Sequence, residues 1–212
     1  MTEDKIVEGI RKALEAAPER KFKESVEICI NLKDVDLAIP KNRIDEEIPL
    51  PKGRGKQVKV ALFGTNEMTS KAKGIADRVL TPEDIDKLAD NKRDGRKLAL
   101  GHHYFVAEAP LMPTIGKKLG KVLAPRGKMP RPIPPGADPG PILNAVRNSV
   151  KVRSKDRRTF HATVGSREMS AEDLALNVDA VMKRILAKLE RGPSNIHSVF
   201  VKTTMGPAIK IM

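Results

Sequence analysis

A backbone cradle for phosphate needs glycines and a lysine at fixed spacing, and Gly116, Gly120 and Lys121 come near to one. The fit fails, because three residues separate the glycines where a P-loop needs four, and Val122 follows the lysine. His102 and His103 are adjacent, so on a strand they point to opposite faces. His161 and His197 have no Cys or carboxylate at ligand spacing, so no metal site is expected. Asp45, Glu46 and Glu47 could pair for acid and base work, but adjacent acids in a turn are ordinarily just solvated. No nucleophile constellation is present, and neither catalysis nor a cofactor is expected.

What the chain offers instead is positive charge. Forty Lys and Arg against 27 Asp and Glu give a net charge of +13, which points to a polyanionic partner. The charge is clustered rather than scattered: residues 1–52 are net −2, residues 53–149 net +9 and residues 150–212 net +6. From Ala109 to Ala137 there is no acid, while Lys117, Lys118, Lys121, Arg126, Lys128 and Arg131 fall within that run. With no Trp, one Tyr and five Phe, recognition of single strands by base stacking is poorly supplied, and folded RNA or duplex shape is the better target.

Cys29 is the only cysteine, which forbids an internal disulfide and fits a reducing compartment. No apolar stretch approaches the roughly 18 residues of a membrane span, and Met1 to Ile10 is amphipathic and acidic, unlike a signal peptide. A cytoplasmic protein without a membrane partner is the expectation.

The elements that must position these residues follow from periodicity. Ile6, Ile10 and Leu14, spaced by four, predict a helix over 3–17 with Thr2 as its cap, ended by Pro18. Val26, Ile28, Ile30 and Leu32 alternate with Glu27, Cys29 and Asn31, which is the period of a half-buried strand over 25–32. A second strand is predicted over 44–50. After a turn-rich break at 51–55, an apolar run at 58–63 opens a small α/β unit, with helices expected at 69–79, 81–90 and 139–148 and a strand at 104–108. Val150 and Val152, then Phe160, Ala162 and Val164, predict two strands joined by a basic turn at 154–158. A helix follows, with Ser170 and Asp173 at capping-box spacing and Leu174, Val178, Val181, Ile185 and Leu189 as its buried stripe. Two last strands are predicted at 199–201 and 208–211.

Neither terminal segment has enough elements for a sheet-and-helix layer alone. The expected fold class is therefore α/β in two domains: a discontinuous α+β domain from residues 1–52 and 150–212, and an inserted domain from residues 53–149. Two linkers side by side, near Gly53 and Asn148, predict a hinge.

Candidate binding residues come from the turns and strand faces. Thr204, Met205 and Gly206 lie in a tight turn, where Gly lets backbone approach a ligand closely and the Thr hydroxyl can bond a ribose or phosphate; an ordinary hairpin is the alternative. Ser25 and Glu27 share a strand face. Glu27 is either a surface charge paired with a lysine or an acceptor for a ribose 2′-hydroxyl or base amino group. Phe22 is either core or an exposed ring against a ribose. Lys21, Lys23, Arg157, Arg158, His161 and Thr163 are either phosphate and sugar contacts or a solvated basic surface.

Several stretches resemble one family, the large-subunit ribosomal protein L-one family, the universal stalk protein. They are Thr203-Thr204-Met205-Gly206-Pro207, Phe22 to Glu27, Gly55 to Val58, Lys118 to Gly127 and Phe160 to Gly165, in the family's order. The start of the chain close to the first helix resembles the archaeal form. The resemblance implies a discontinuous rRNA-binding domain and an inserted three-layer, Rossmann-like α/β domain. It also implies binding of folded large-subunit rRNA at the mobile stalk, contact with deacylated tRNA at the exit site, and repression of translation through the protein's own mRNA. Other ribosomal components would be neighbours, and the free protein would be a monomer. It marks the 204–206 turn as RNA-contacting and favours Glu27 as a contact, with the Lys117 to Arg131 stretch a secondary patch. Two competing readings are an α/β enzyme acting on a phosphorylated substrate and a nonspecific DNA-coating protein.

Overall fold

A computed structural model describes residues 3–212, and the Thr2 cap expected from the sequence lies outside them. In chain order the elements are α1 (Glu3–Glu15), β1 (Ser25–Leu32), β2 (Asp45–Pro49), β3 (Val60–Phe63), α2 (Asn66–Ala72), β4 (Arg78–Leu80), α3 (Pro82–Asp90), α4 (Lys92–Gly101) and β5 (Tyr104–Glu108). Then come α5 (Met112–Leu123), β6 (Arg131–Ile133), α6 (Pro139–Arg147), β7 (Ser149–Arg153), β8 (Thr159–Ser166), α7 (Ala171–Lys188), β9 (Ile196–Thr203) and β10 (Ile209–Lys210). They form two compact units, Met1–Lys56 with Asn148–Met212, and Gln57–Arg147.

The first unit is built on an antiparallel sheet in the order β10-β9-β1-β8. The alternation of β1 decides its two faces. Val26, Ile28, Ile30 and Leu32 are buried together with Phe160, Ala162 and Val164 of β8 and Val199 and Val201 of β9. Onto that face pack Ile6, Ile10 and Ala13 of α1 and Leu174, Val178, Val181 and Ile185 of α7. Full burial of such aliphatic side chains contributes about 1.5–3 kcal/mol each before the entropy of ordering is set against it. Ser170 caps α7 by accepting from the Asp173 amide at 3.1 Å.

Two strands that the sequence joined by a simple turn take different partners. β8 pairs with β1, whereas β7 pairs with β2 in a separate two-stranded ribbon. The switch occurs at Ser154, whose buried hydroxyl accepts from the Ile44 amide at 3.0 Å while its own amide donates to the Ile44 carbonyl at 2.9 Å.

Where the chain leaves this unit, Asn177 on α7 ties down the backbone. Fully buried, it accepts from the Lys52 amide at 3.0 Å and donates to the carbonyls of Gly53 at 2.9 Å and Val164 at 2.8 Å. Gly53 turns there at φ +68°, a left-handed conformation that favours glycine.

The second unit is an all-parallel sheet in the order β4-β3-β5-β6 with helices on both faces. Val60, Leu62 and Val106 meet Met68 and Ala72 of α2 and Leu143 and Val146 of α6 on one side. Ala61, Phe63, Phe105 and Ala107 meet Ile85, Leu98, Ile115, Leu119 and Leu123 of α3, α4 and α5 on the other. Strands buried on both faces read as continuous apolar runs, which is why 60–63 shows no alternation.

The helix expected at 69–79 is instead α2 followed by a strand. Gly74, at φ +86°, ends the helical path, and β4 pairs with β3. Helices α4 and α5 were not expected. Gly95, Gly116 and Gly120 lie in them, each lowering helix propensity by about 1 kcal/mol relative to Ala. Burial of Leu98, Ala99, Ile115, Leu119 and Leu123 overrides that local preference.

Two outcomes follow from these contacts. Asn177→Leu strands two backbone carbonyls and one amide, so urea unfolding should show a loss of about 2–4 kcal/mol. Asp77 accepts from the Val60 amide at 2.8 Å and from Arg147 at 3.0 Å. Desolvation opposes its ionisation, but these bonds outweigh it and hold its pKa below the ordinary value. A depressed carboxylate pKa gives stability that is present above the unfolded value, about 3.9, and lost as pH falls through the folded value. Asp77→Asn should therefore flatten the acid limb of the stability profile while leaving the profile above pH ~5 parallel to the parent's.

Candidate nucleic-acid interface

The outward face of the first unit's sheet carries the odd-numbered residues of β1, and cross-strand register sets their neighbours. Glu27 lies between Thr163 of β8 and Lys202 of β9. One row further on, Cys29 lies between His161 and Phe200. In the next, Asn31 lies between Thr159 and Ser198. The last row is internally bonded, with Thr159 Oγ1 donating to Asn31 Oδ1 at 2.8 Å and Asn31 Nδ2 donating to Ser198 Oγ at 2.8 Å. In the Cys29 row, burial raises the pKa of the thiol against the opposing pull of Lys202.

No ion pair joins Glu27 to Lys202 within 4.0 Å among the described residues, although they are register partners. An acid and a base stand side by side with unused acceptor and donor capacity. The pair can take a hydroxyl or amino donor beside a phosphate. Of the predicted residues, Ser25, Glu27, His161 and Thr163 share this face. The sequence reading did not reach Lys202, Phe200, Cys29, Asn31, Thr159 or Ser198 as site residues. Their neighbours are fixed by pairing between segments more than a hundred residues apart, which no local pattern reveals.

At one end of the sheet lies the 203–206 turn. Met205 is 60% exposed and Phe22 52% exposed, so Phe22 is not core. Thr204 faces inward chemically: its hydroxyl accepts from the Ser25 amide at 3.0 Å and lies 3.3 Å from the Ser25 carbonyl as donor, while its amide donates to that carbonyl at 3.0 Å. Ser25 Oγ in turn accepts from Lys56 at 3.0 Å. Gly206 is required by its own chain, since a Cβ there would lie 2.4 Å from Thr203 Oγ1 and 3.0 Å from the Ala17 Cβ.

Under the turn sits a group that the sequence reading missed. Glu24 is 1% exposed; its Oε1 accepts from the Met205 amide at 3.0 Å, and its Oε2 pairs with Arg167 at 3.0 Å. The available signal was alternation, because residue 24 falls on the same strand face as Val26 and Ile28. Around this cluster Lys21, Phe22, Lys23, Arg167 and Glu168 line a shallow groove, with Lys23 bridged to Glu168 at 2.9 Å. Arg157 and Arg158 are exposed in the turn before β8.

In the second unit the secondary basic patch is partly spent on the fold. Lys118 pairs with Asp86 of α3, so the acid-free stretch of sequence is not acid-free in space. Lys128 donates to the carbonyls of Ala99 and His102 at 2.7 Å each, closing the end of α4. Burial, with Arg126 nearby, lowers its pKa. Arg126 donates to the Val122 carbonyl at 2.9 Å. Lys117 and Lys121 are exposed on α5, and Arg131 is exposed on β6.

A doubly wound sheet holds anionic ligands where consecutive connections leave to opposite faces, here beyond β3 and β5. That point is filled by Glu108, only 6% exposed, whose carboxylate accepts from the Thr65 amide at the start of α2 at 2.9 Å. An acid occupying the donor group disfavours a phosphorylated substrate there. Among the described residues no group of three or more His, Cys, Asp or Glu could hold a metal ion, and no helix is long and apolar enough to cross a membrane.

Comparison with known proteins adds an independent line. The profile of the ribosomal protein L1p/L10e family matches residues 12–207. The large ribosomal subunit protein uL1 of Thermoplasma acidophilum is 55% identical over 203 residues, covering 96% of this chain and 94% of that protein. The same protein of Thermoplasma volcanium is 54% identical over 209 residues, covering 97% and 96%. That of Methanocella arvoryzae is 52% identical over 213 residues, covering the whole of both.

The packing around Gly206 is directly testable. Gly206→Ala forces Thr203 or Ala17 aside and should cost about 1–3 kcal/mol in denaturant unfolding, the usual cost of overpacking. The amide resonances of Met205 and Gly206 should shift while those of the second unit stay in place.

Proposed function

The chain belongs to the ribosomal protein L1p/L10e family, in its archaeal form, and on that premise we propose that it grips folded large-subunit rRNA through the outer sheet face and the 203–206 turn of its first unit. It is a structural protein of the large ribosomal subunit, not an enzyme, and it works on the ribosome in the cytoplasm.

The observation that carries the proposal is the row Thr163, Glu27 and Lys202 beside the exposed Met205 and Phe22. The sheet face offers acceptor, donor and cation, and the exposed Met205 and Phe22 near the end of the sheet offer apolar contact. A carboxylate among them repels phosphates, which favours a partner that presents ribose hydroxyls or base edges at one defined place over any polyanion. Arg157, Arg158, Lys21 and Lys23, at the rim of that unit, supply phosphate contacts. The same reader serves three targets in this proposal: the rRNA of the mobile stalk, deacylated tRNA leaving the exit site, and a similar fold in the protein's own mRNA, whose translation it represses. The exposed Lys117, Lys121 and Arg131 of the second unit serve as secondary contacts. Free in solution the protein is a monomer.

Binding to a large-subunit rRNA stalk fragment across a salt series, with excess tRNA or duplex DNA as competitor, tests this reading. Affinity should survive the DNA competitor. Met205→Asp should weaken it about tenfold or more, or ~1.4 kcal/mol, with an unchanged circular dichroism spectrum. Lys202→Ala should flatten the slope of log affinity against log salt by about one if that lysine meets a phosphate. Affinity lost equally to every polyanion, or a Met205→Asp protein that binds like the parent, overturns the reading.

A further inference from the structure

Glu24 stands on the buried side of the sheet, where the alternation of β1 demands an apolar residue, and it is 1% exposed. Its carboxylate reaches three groups. Oε1 accepts from the Met205 amide at 3.0 Å and lies 3.4 Å from Thr203 Oγ1, and Oε2 takes the Arg167 guanidinium at 3.0 Å. Arg167 then donates to the carbonyls of Ala17 at 3.0 Å and Pro18 at 2.9 Å, the segment that leads out of α1. Thr203 Oγ1 accepts from the Gly206 amide at 3.0 Å, which closes the turn.

A buried ion pair of this kind adds little stability, because desolvation of both charges roughly cancels their attraction, and a well-packed apolar pair often does as well. Stability alone therefore gives weak reason for a carboxylate at this position. What an apolar side chain cannot do is accept from the Met205 amide. That bond fixes the backbone from which an exposed methionine side chain projects. Ordering a turn before its ligand arrives reduces the entropy cost of association.

We propose that Glu24, held by Arg167, is a positioning residue: through Thr203 and the Met205 amide it pre-sets the 203–206 turn for RNA without touching RNA itself. This rests on the reading that the turn contacts RNA, and the closing experiment separates failure of the two.

Affinity for the stalk rRNA fragment would be measured for the parent, Met205→Asp, Glu24→Ala, Glu24→Gln and Thr203→Val. The temperature is set so that each variant is fully folded by circular dichroism, and amide exchange is followed at Met205 and Gly206. Loss of the fixed amide should weaken binding about tenfold in Glu24→Ala, with faster exchange at Met205. Glu24→Gln, which keeps an acceptor for that amide, should recover most of the affinity. Thr203→Val, isosteric and uncharged, should lose several-fold and speed exchange at Gly206; it remains informative if Glu24→Ala does not fold. The salt slope should stay at the parent's value in all three of these variants, because no phosphate contact is removed. A role confined to stability would lower the unfolding midpoint and leave the affinity of the folded protein unchanged. That outcome, with Met205→Asp impaired, overturns the positioning role while leaving the turn as an RNA contact. Parent-like binding by Met205→Asp overturns both.

Discussion

The first unit depends on one constraint, the two-residue period of its central strand. β1 pairs with β8 on one side and β9 on the other, so its register fixes the address of every side chain on both neighbours. Even-numbered positions carry the hydrophobic core and odd-numbered positions the open polar face. A slip of one residue would exchange the two, bury Glu27 and expose Ile28. Core and polar face are thus two consequences of one pairing.

The same period explains the charge in the core. Glu24 continues the buried series Val26, Ile28 and Ile30 beyond the end of the ladder, where the sheet gives way to the 203–206 turn. A carboxylate is tolerable there because Arg167, the Met205 amide and Thr203 satisfy it. The Glu24–Arg167 pair links the turn to the segment leaving α1, so residues separated by most of the chain act as one local structure.

In the second unit one of the protein's own acids stands at the point where parallel sheets commonly take up ligands. Its parallel sheet has the reversal of connections at which related architectures take up phosphates, yet Glu108 occupies the amide donor at that point. The unit's basic residues are likewise divided. Lys128 and Arg126 satisfy helix-end carbonyls and Lys118 answers Asp86, which leaves Lys117 and Lys121 displayed on α5. Net charge counted along a window of sequence overstates what a surface presents.

From the sequence alone came the mixed α/β class, the alternation of β1, the stripe and cap of α7, the family resemblance and the excess of positive charge. These are properties of neighbouring residues, and burial on one face writes them directly into local periodicity. The helices α4 and α5 escaped because their glycines mask a helical preference that only packing against the sheet restores. Thr204 and Gly206 were legible as special residues, but their hydrogen bonds and close contacts prove to be with Ser25, Thr203 and Ala17. Lys202 beside Glu27, Phe200 beside Cys29 and Glu24 beneath Met205 were decided only by the tertiary structure. Each joins strands far apart in the chain, and the strength of a hydrogen bond or the reach of a charge depends on distance in space, which the order of residues does not contain.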